Sequence, residues 1–214
     1  MRPIQNAGGH VGLTARNYPI AAATAISAGQ VVQLSGGLVI SAVASQTAAI
    51  LGIAAENHPG TADALNPRAN GTEILVYDNP ELIFECPAPT FAASGGTATT
   101  VTTTTSDVAV TTSNAFKGGF LVSPKGNKRA ISAYGNSSST NTFTVPSGET
   151  AADGDVYTLY PQVGCAAGWQ LDGTAFSKIV LTAAGCTKLK VVGHDFDRGM
   201  IRLMAVEHSL GVEN

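Results

Sequence analysis

Charge is what this chain has least of. Asp, Glu, Lys and Arg make up 13% of its 214 residues, about half of what a soluble domain ordinarily carries. Twelve basic residues stand against fifteen acidic ones, a formal balance of -3, and the basic ones are too scattered to follow a nucleic-acid backbone. Their one tight group, Lys125, Lys128 and Arg129, reads as a solvated hairpin tip. Cysteine is scarce too. Cys86, Cys165 and Cys186 are odd in number and widely spaced, which argues against a disulfide framework while leaving a single pair open. They form no CxxC, so no structural zinc site is expected. No apolar run approaches the 18 residues of a membrane helix, and residues 1–20 contain no continuous apolar core of a signal peptide. Helix is nearly absent: the one candidate, residues 44–49, is too short to stand alone and reads as loop.

Threonine, glycine and alanine fill the space. Residues 97–105 read TATTVTTTT, a β-branched, uncharged stretch that favours extended strands and supplies no acid, base or metal ligand. A surface resting on Thr, Ser and Asn has few charges to desolvate on docking. Short segments with period-2 alternation follow one another, separated by Gly, Pro, Asn and Asp. Strands are predicted over 31–34, 38–43, 50–55, 73–77 and 82–85, with the turn of the first pair at Gly36-Gly37. Two more are predicted within 91–114 and end in a turn at Ser106-Asp107. Others are expected at 120–123, 129–134, 143–145, 156–160, 169–171, 179–181, 188–192 and 201–206, with 61–71 and 135–141 as loops. The expected fold class is all-β: a small barrel or sandwich with an extended N-terminal arm and a Thr-rich β insertion. Residues 1–20, with Pro3, Gly8, Gly9, Gly12 and Pro19, form the arm; 21–90 are the first part of the barrel. Residues 91–154 are the insertion or a second small β domain, and 155–214 supply closing strands. Strands so rich in Ala and Thr leave a thin private core. Val101, Val108, Val110, Leu203 and Val206 are therefore expected to bury apolar area against another subunit.

The motifs of common catalytic sites are missing: no GxSxG, HExxH, phosphate loop or dinucleotide fingerprint occurs. His194, Asp195 and Asp197 could offer one nitrogen and two oxygens to a divalent ion, or a His–Asp pair to a small hydrolase. Asp and Gly are ordinary turn formers, however, and account for this segment and for Asp153-Gly154-Asp155 without a metal. The cysteines sit at no predicted helix start, where a thiolate would be stabilised, and read as free thiols. Trp169, Tyr157, Tyr160 and Phe176 read as core anchors rather than a sugar platform. The expectation is a non-enzymatic protein with no cofactor and no metal.

One resemblance gives this a biological setting. The series Ala28-Gly29-Gln30-Val31-Val32-Gln33-Leu34, Gly37-Leu38-Val39 and Leu51-Gly52-Ile53-Ala54, followed by Val76-Tyr77-Asp78-Asn79-Pro80 and Leu82-Ile83-Phe84, resembles the capsid decoration (cement) proteins of tailed bacteriophages. It covers residues 26–90 and departs from the smallest members in the Thr-rich middle. The resemblance implies a structural virion protein on the outer surface of an icosahedral head, present in the host cytoplasm before assembly. It further implies a partner in the major capsid protein and a homotrimer at three-fold or quasi-three-fold positions, without nucleic acid or membrane. In that setting the arm is the expected capsid contact, through Arg2, Ile4, Arg16, Tyr18 and Pro19. A phage tail or fibre component is the alternative within viruses.

Overall fold

The computed structural model describes residues 2–6, 14–42, 49–60, 73–164, 169–171, 179–181 and 189–206. Every regular element among them is a strand. The first nine are β1 (Arg2–Asn6), β2 (Ala15–Pro19), β3 (Ala25–Ile26), β4 (Val31–Ser35), β5 (Leu38–Ser41), β6 (Ile50–Ala54), β7 (His58–Pro59), β8 (Glu73–Tyr77) and β9 (Leu82–Pro87). The middle of the chain adds β10 (Thr90–Thr97), β11 (Thr100–Thr104), β12 (Phe120–Val122), β13 (Lys128–Ala130), β14 (Ala133–Asn136) and β15 (Thr140–Thr144). The last five are β16 (Asp153–Tyr160), β17 (Trp169–Leu171), β18 (Ile179–Leu181), β19 (Leu189–Asp195) and β20 (Met200–Ala205). All strand pairs are antiparallel, in sheets ordered β2-β8-β6-β4-β5, β1-β9-β20-β19 and β13-β12-β16-β10-β11-β15-β14, with β3-β7 and β17-β18 as two-stranded pieces. The expected loop at 61–71 and residues 44–48 of the segment 44–49 lie outside the described residues.

The five-stranded sheet curls. Just past its end strand β2, Ile20 bridges to Val39 on the opposite end strand β5, and Ala21 N donates to the Val39 carbonyl at 3.1 Å. The sheet has two buried faces, and a register shift where β4 pairs with β6 breaks the simple alternation along β6. Val32, Val39, Leu51, Ala54, Ile74 and Val76 fill the concave side with Ile20 and Ile26, while Val31, Ile50 and Ile53 pack outward into the larger core. Strand β6 is buried along its whole length, as a near-continuous apolar run requires. It crosses β8 closely: a Cβ on Gly52 would lie 1.9 Å from the Tyr77 carbonyl oxygen, so only glycine fits there.

The seven-stranded sheet explains the threonines. On β11, Val101 and Thr103 point inward and Thr100, Thr102 and Thr104 outward; on β15, Asn141 and Phe143 point inward between Thr140, Thr142 and Thr144. Thr103 stays satisfied when buried because its Oγ1 donates to the Ala92 carbonyl at 2.8 Å. Aromatic rings fill the inner side, with Phe91 stacked on Phe143 at 5.0 Å and Phe116 edge-on to Tyr134 at 4.9 Å.

Two expectations change here. Val101, Val108, Val110 and Leu203 are fully buried in the chain's own core, and Val206 is half-buried. Contacts between distant strands already bury the apolar area that was expected at a subunit interface. Arg129 is buried at 7% exposure rather than solvated at the hairpin tip. The domain picture also gains detail. Strand β16 straddles residue 154 and pairs with β10 and β12, so the Thr-rich sheet is completed from beyond it. Strand β4 pairs with β5 and β6, while β20 returns to the first part of the chain at β9.

Candidate functional site

Residues 2–6 and 15–19 are drawn into two sheets instead of leaving the body as a free arm. Strand β1 pairs with β9, Arg2 opposite Glu85 and Asn6 opposite Leu82, with a register shift between Pro3 and Gln5. Strand β2 pairs with β8, Arg16 opposite Val76 and Tyr18 opposite Ile74. Both are end strands, but their edges differ. The far side of β2 approaches β5, whereas β1 ends the four-stranded sheet with no described strand beyond it. At the opposite end of that sheet, Gly164 N caps β19 by donating to the Val191 carbonyl at 2.7 Å. A proline in an end strand and a register shift are common ways of blunting an exposed edge.

Asp78 ties β2 to the body. Arg16 and Tyr18 lie two apart on one face, and both reach this buried carboxylate: Tyr18 Oη donates to Oδ2, and Arg16 Nη1 lies 3.4 Å from the same oxygen. Burial first, then the Asp78 carboxylate, pushes the Tyr18 phenol up to about 12. Arg16 is 68% exposed while Asp78 is 5% exposed, so the guanidinium can still meet another group. Of the five expected contact residues, Tyr18 is committed internally through its hydroxyl, Ile4 is half-buried, and Arg16 and Pro19 are exposed. The Arg2 side chain lies outside the described residues. Asp78 was legible in the sequence as a turn residue. Its role as acceptor for a tyrosine 60 positions away had no local signal.

The His194 segment separates by face. His194 turns to an aromatic cluster, with Phe196 at 5.4 Å, Tyr160 at 5.5 Å and Phe120 at 6.1 Å, and its Nε2 donates to the Pro161 carbonyl at 2.7 Å. Burial pushes the imidazole pKa down; the Pro161 bond opposes this and Lys128 adds to it. Asp195, the next residue along the strand, instead meets Arg198 at 3.4 Å and Arg202 at 3.6 Å. The two do not form a His–Asp pair, and no cluster of three metal-ligating side chains occurs among the described residues. The sequence reading missed the group that completes this network. Glu85, 1% exposed, receives Arg198 through two bonds of 3.1 and 2.9 Å, and Arg202 Nε lies 3.6 Å from its Oε1.

The remaining candidates are structural. Asp155 Oδ2 accepts from Ala152 N at 2.8 Å, closing the turn that Gly154 makes at φ +84°. Burial pushes the Cys86 thiol up to about 12, so it carries no thiolate at neutral pH; Cys165 and Cys186 lie outside the described residues. Tyr157 and Tyr160 are buried and offer no platform for a sugar, while the Trp169 side chain and Phe176 lie outside the described residues. A cleft of about 490 Å³ opens between Pro87, Pro89, Thr90, Asp107 and Ile179, and Asp107 is the one ionisable residue of its described lining. No protein-family model, curated protein or solved structure matches the chain.

Proposed function

We propose that this chain is a structural virion protein that decorates the outer surface of an icosahedral phage head and stabilises contacts between major capsid protein subunits. In this reading the curled five-stranded sheet is the small barrel of a decoration protein. The Thr-rich sheet is its insertion, and copies gather as homotrimers at three-fold or quasi-three-fold positions. The observation that carries the reading is the place of β1, an end strand with no described neighbour on its far side. A strand of the shell added there would satisfy backbone groups on both partners without any charged recognition, which suits a surface so poor in charge. Exposed Arg16 adds an ion pair at the rim, worth about 0.2–1 kcal/mol, so backbone pairing is the larger contribution. Symmetry multiplies each weak contact over the shell. The motif series of residues 26–90 supports the same role: its segments up to Tyr77 lie in β4, β5, β6 and β8 of the curled sheet, and Leu82-Ile83-Phe84 lie in β9 of the four-stranded sheet.

The test is binding to purified heads. The full chain is expected to co-sediment with mature particles, and a variant lacking residues 2–6 is expected to lose occupancy while keeping its β spectrum. Absence of the chain from mature heads overturns the role, and undiminished binding by the truncated variant overturns the strand assignment.

A further inference from the structure

The cleft beside β18 has an apolar floor and a polar mouth. Its space of about 490 Å³ falls in the range that takes a small ligand. Ala88, Ile179 and Leu181 are buried and form the floor, while Pro87, Ser106 and Asp107 are exposed and form the mouth. One wall donates nothing. Pro87 and Pro89 have no N–H, and the Ala88 N–H between them is committed to the Gly199 carbonyl at 2.9 Å. On β18 the Ile179 N–H is turned to the Cys86 thiol. At the mouth the Asp107 N–H goes back to the Thr104 carbonyl at 3.3 Å. None of these five lining residues has an N–H to offer an anion. Asp107 itself is the charge of the described lining. Thr104 Oγ1 donates to its Oδ2 at 2.8 Å, which orients the carboxylate and leaves Oδ1 without a partner among the described residues. No Lys, Arg or His of the described residues forms an ion pair with it.

The ligand that fits such a setting is positively charged, donates hydrogen bonds and trails an apolar stem. An anion meets the Asp107 carboxylate with no backbone donor to offset it. A neutral apolar molecule covers the floor but gains nothing at the mouth. We propose that the cleft binds a small organic cation of the alkylammonium class, its ammonium on Asp107 Oδ1 and its stem against Pro87, Pro89 and Ile179. Ser106 Oγ, which shares a hydrogen bond of 2.7 Å with the Thr104 hydroxyl, is placed beside the carboxylate to accept a second ammonium hydrogen. The site is independent of the role proposed above, since neither β1 nor Arg16 lines it.

The probe is hexylammonium, with hexan-1-ol and hexanoate as neutral and anionic counterparts of the same chain length. Titrated into the full chain, hexylammonium is expected to shift the methyl NMR signals of Ile179 and Val180 saturably. Hexan-1-ol is expected to bind about fivefold more weakly, the upper worth of a surface ion pair, and hexanoate more weakly still. This comparison needs no variant. Asp107→Asn keeps an oxygen for the Thr104 hydroxyl, and it is expected to weaken hexylammonium by the same factor with its urea midpoint unchanged. Hexan-1-ol or hexanoate binding as tightly as hexylammonium overturns the site, as does the absence of a saturable shift with hexylammonium. An unchanged affinity in Asp107→Asn overturns it equally.

Discussion

Single positions show how close the packing is. Gly52 faces the Tyr77 backbone at a separation no Cβ tolerates, whereas Gly36, at φ +57°, has nothing within 4 Å of its notional Cβ. Gly52→Ala must part β6 from β8 and is expected to lower stability by about 3 kcal/mol or more. Gly36→Ala meets only its left-handed backbone, a cost of about 1 kcal/mol. Urea titration of the two variants checks the order. Glu85 is a buried carboxylate held by two half-exposed arginines. Glu85→Gln weakens charged hydrogen bonds and is expected to cost about 2 kcal/mol, read from the same midpoints. His194 sets an acid limb. Its pKa is lowered on folding from the ordinary 6.5, so its contribution is complete above the unfolded value and falls as pH drops through the folded one. Stability is therefore expected to decline below pH 6.5, and His194→Gln to flatten that limb in thermal melts taken across pH.

At the level of elements, β1 and β2 differ in what their loss does. Removing residues 2–6 strips an end strand from β9, and a cooperative unfolding transition is expected to survive. Removing residues 2–19 also takes away Tyr18, its bond to Asp78 and the strand leading to the Ile20 bridge. That variant is expected to lose its cooperative melt, as near-ultraviolet circular dichroism on heating will show. The sequence reads as an extended arm over all of 1–20, because Gly and Pro composition speaks only of local stiffness. Which strand such a segment pairs with is a tertiary fact. Elements with their own alternation were legible, β8 among them, as was the Gly36-Gly37 turn. The facing of Val101 was not. One valine among threonines carries no period of its own; only the pairing of β11 with β15 and the rings beneath show that its side is the core. Arg129 misled for a similar reason: beside Lys125 and Lys128 it looks solvated, yet β13 turns it inward. The Glu85 network joins residues more than 100 positions apart, beyond any local pattern.

For the molecule as a whole, the apolar residues once expected between subunits are spent inside the chain. The large apolar side chains exposed among the described residues are Leu38, Val156 and Val163, and each belongs to a different element or turn. The free protein is expected to sediment as a monomer at tens of micromolar, with any three-fold cluster forming only on a shell; a stable trimer in solution contradicts this. Alkali acts on the molecule more broadly. The phenols of Tyr18 and Tyr134 are both raised on folding from 10 to about 12, chiefly by burial. Their neutral forms stabilise the fold fully below pH 10, and that contribution is lost as pH climbs toward 12. Ultraviolet titration of tyrosinate is expected to coincide with unfolding there. The placing of β9 also governs how the chain is made. This strand is flanked by β1, from the start of the chain, and by β20, some 115 residues downstream of it. A ribosome therefore displays Leu82, Ile83 and Phe84 with one side bare until β20 has emerged. During that interval the nascent protein is an aggregation hazard, and synthesis that stalls before residue 200 is expected to yield insoluble product.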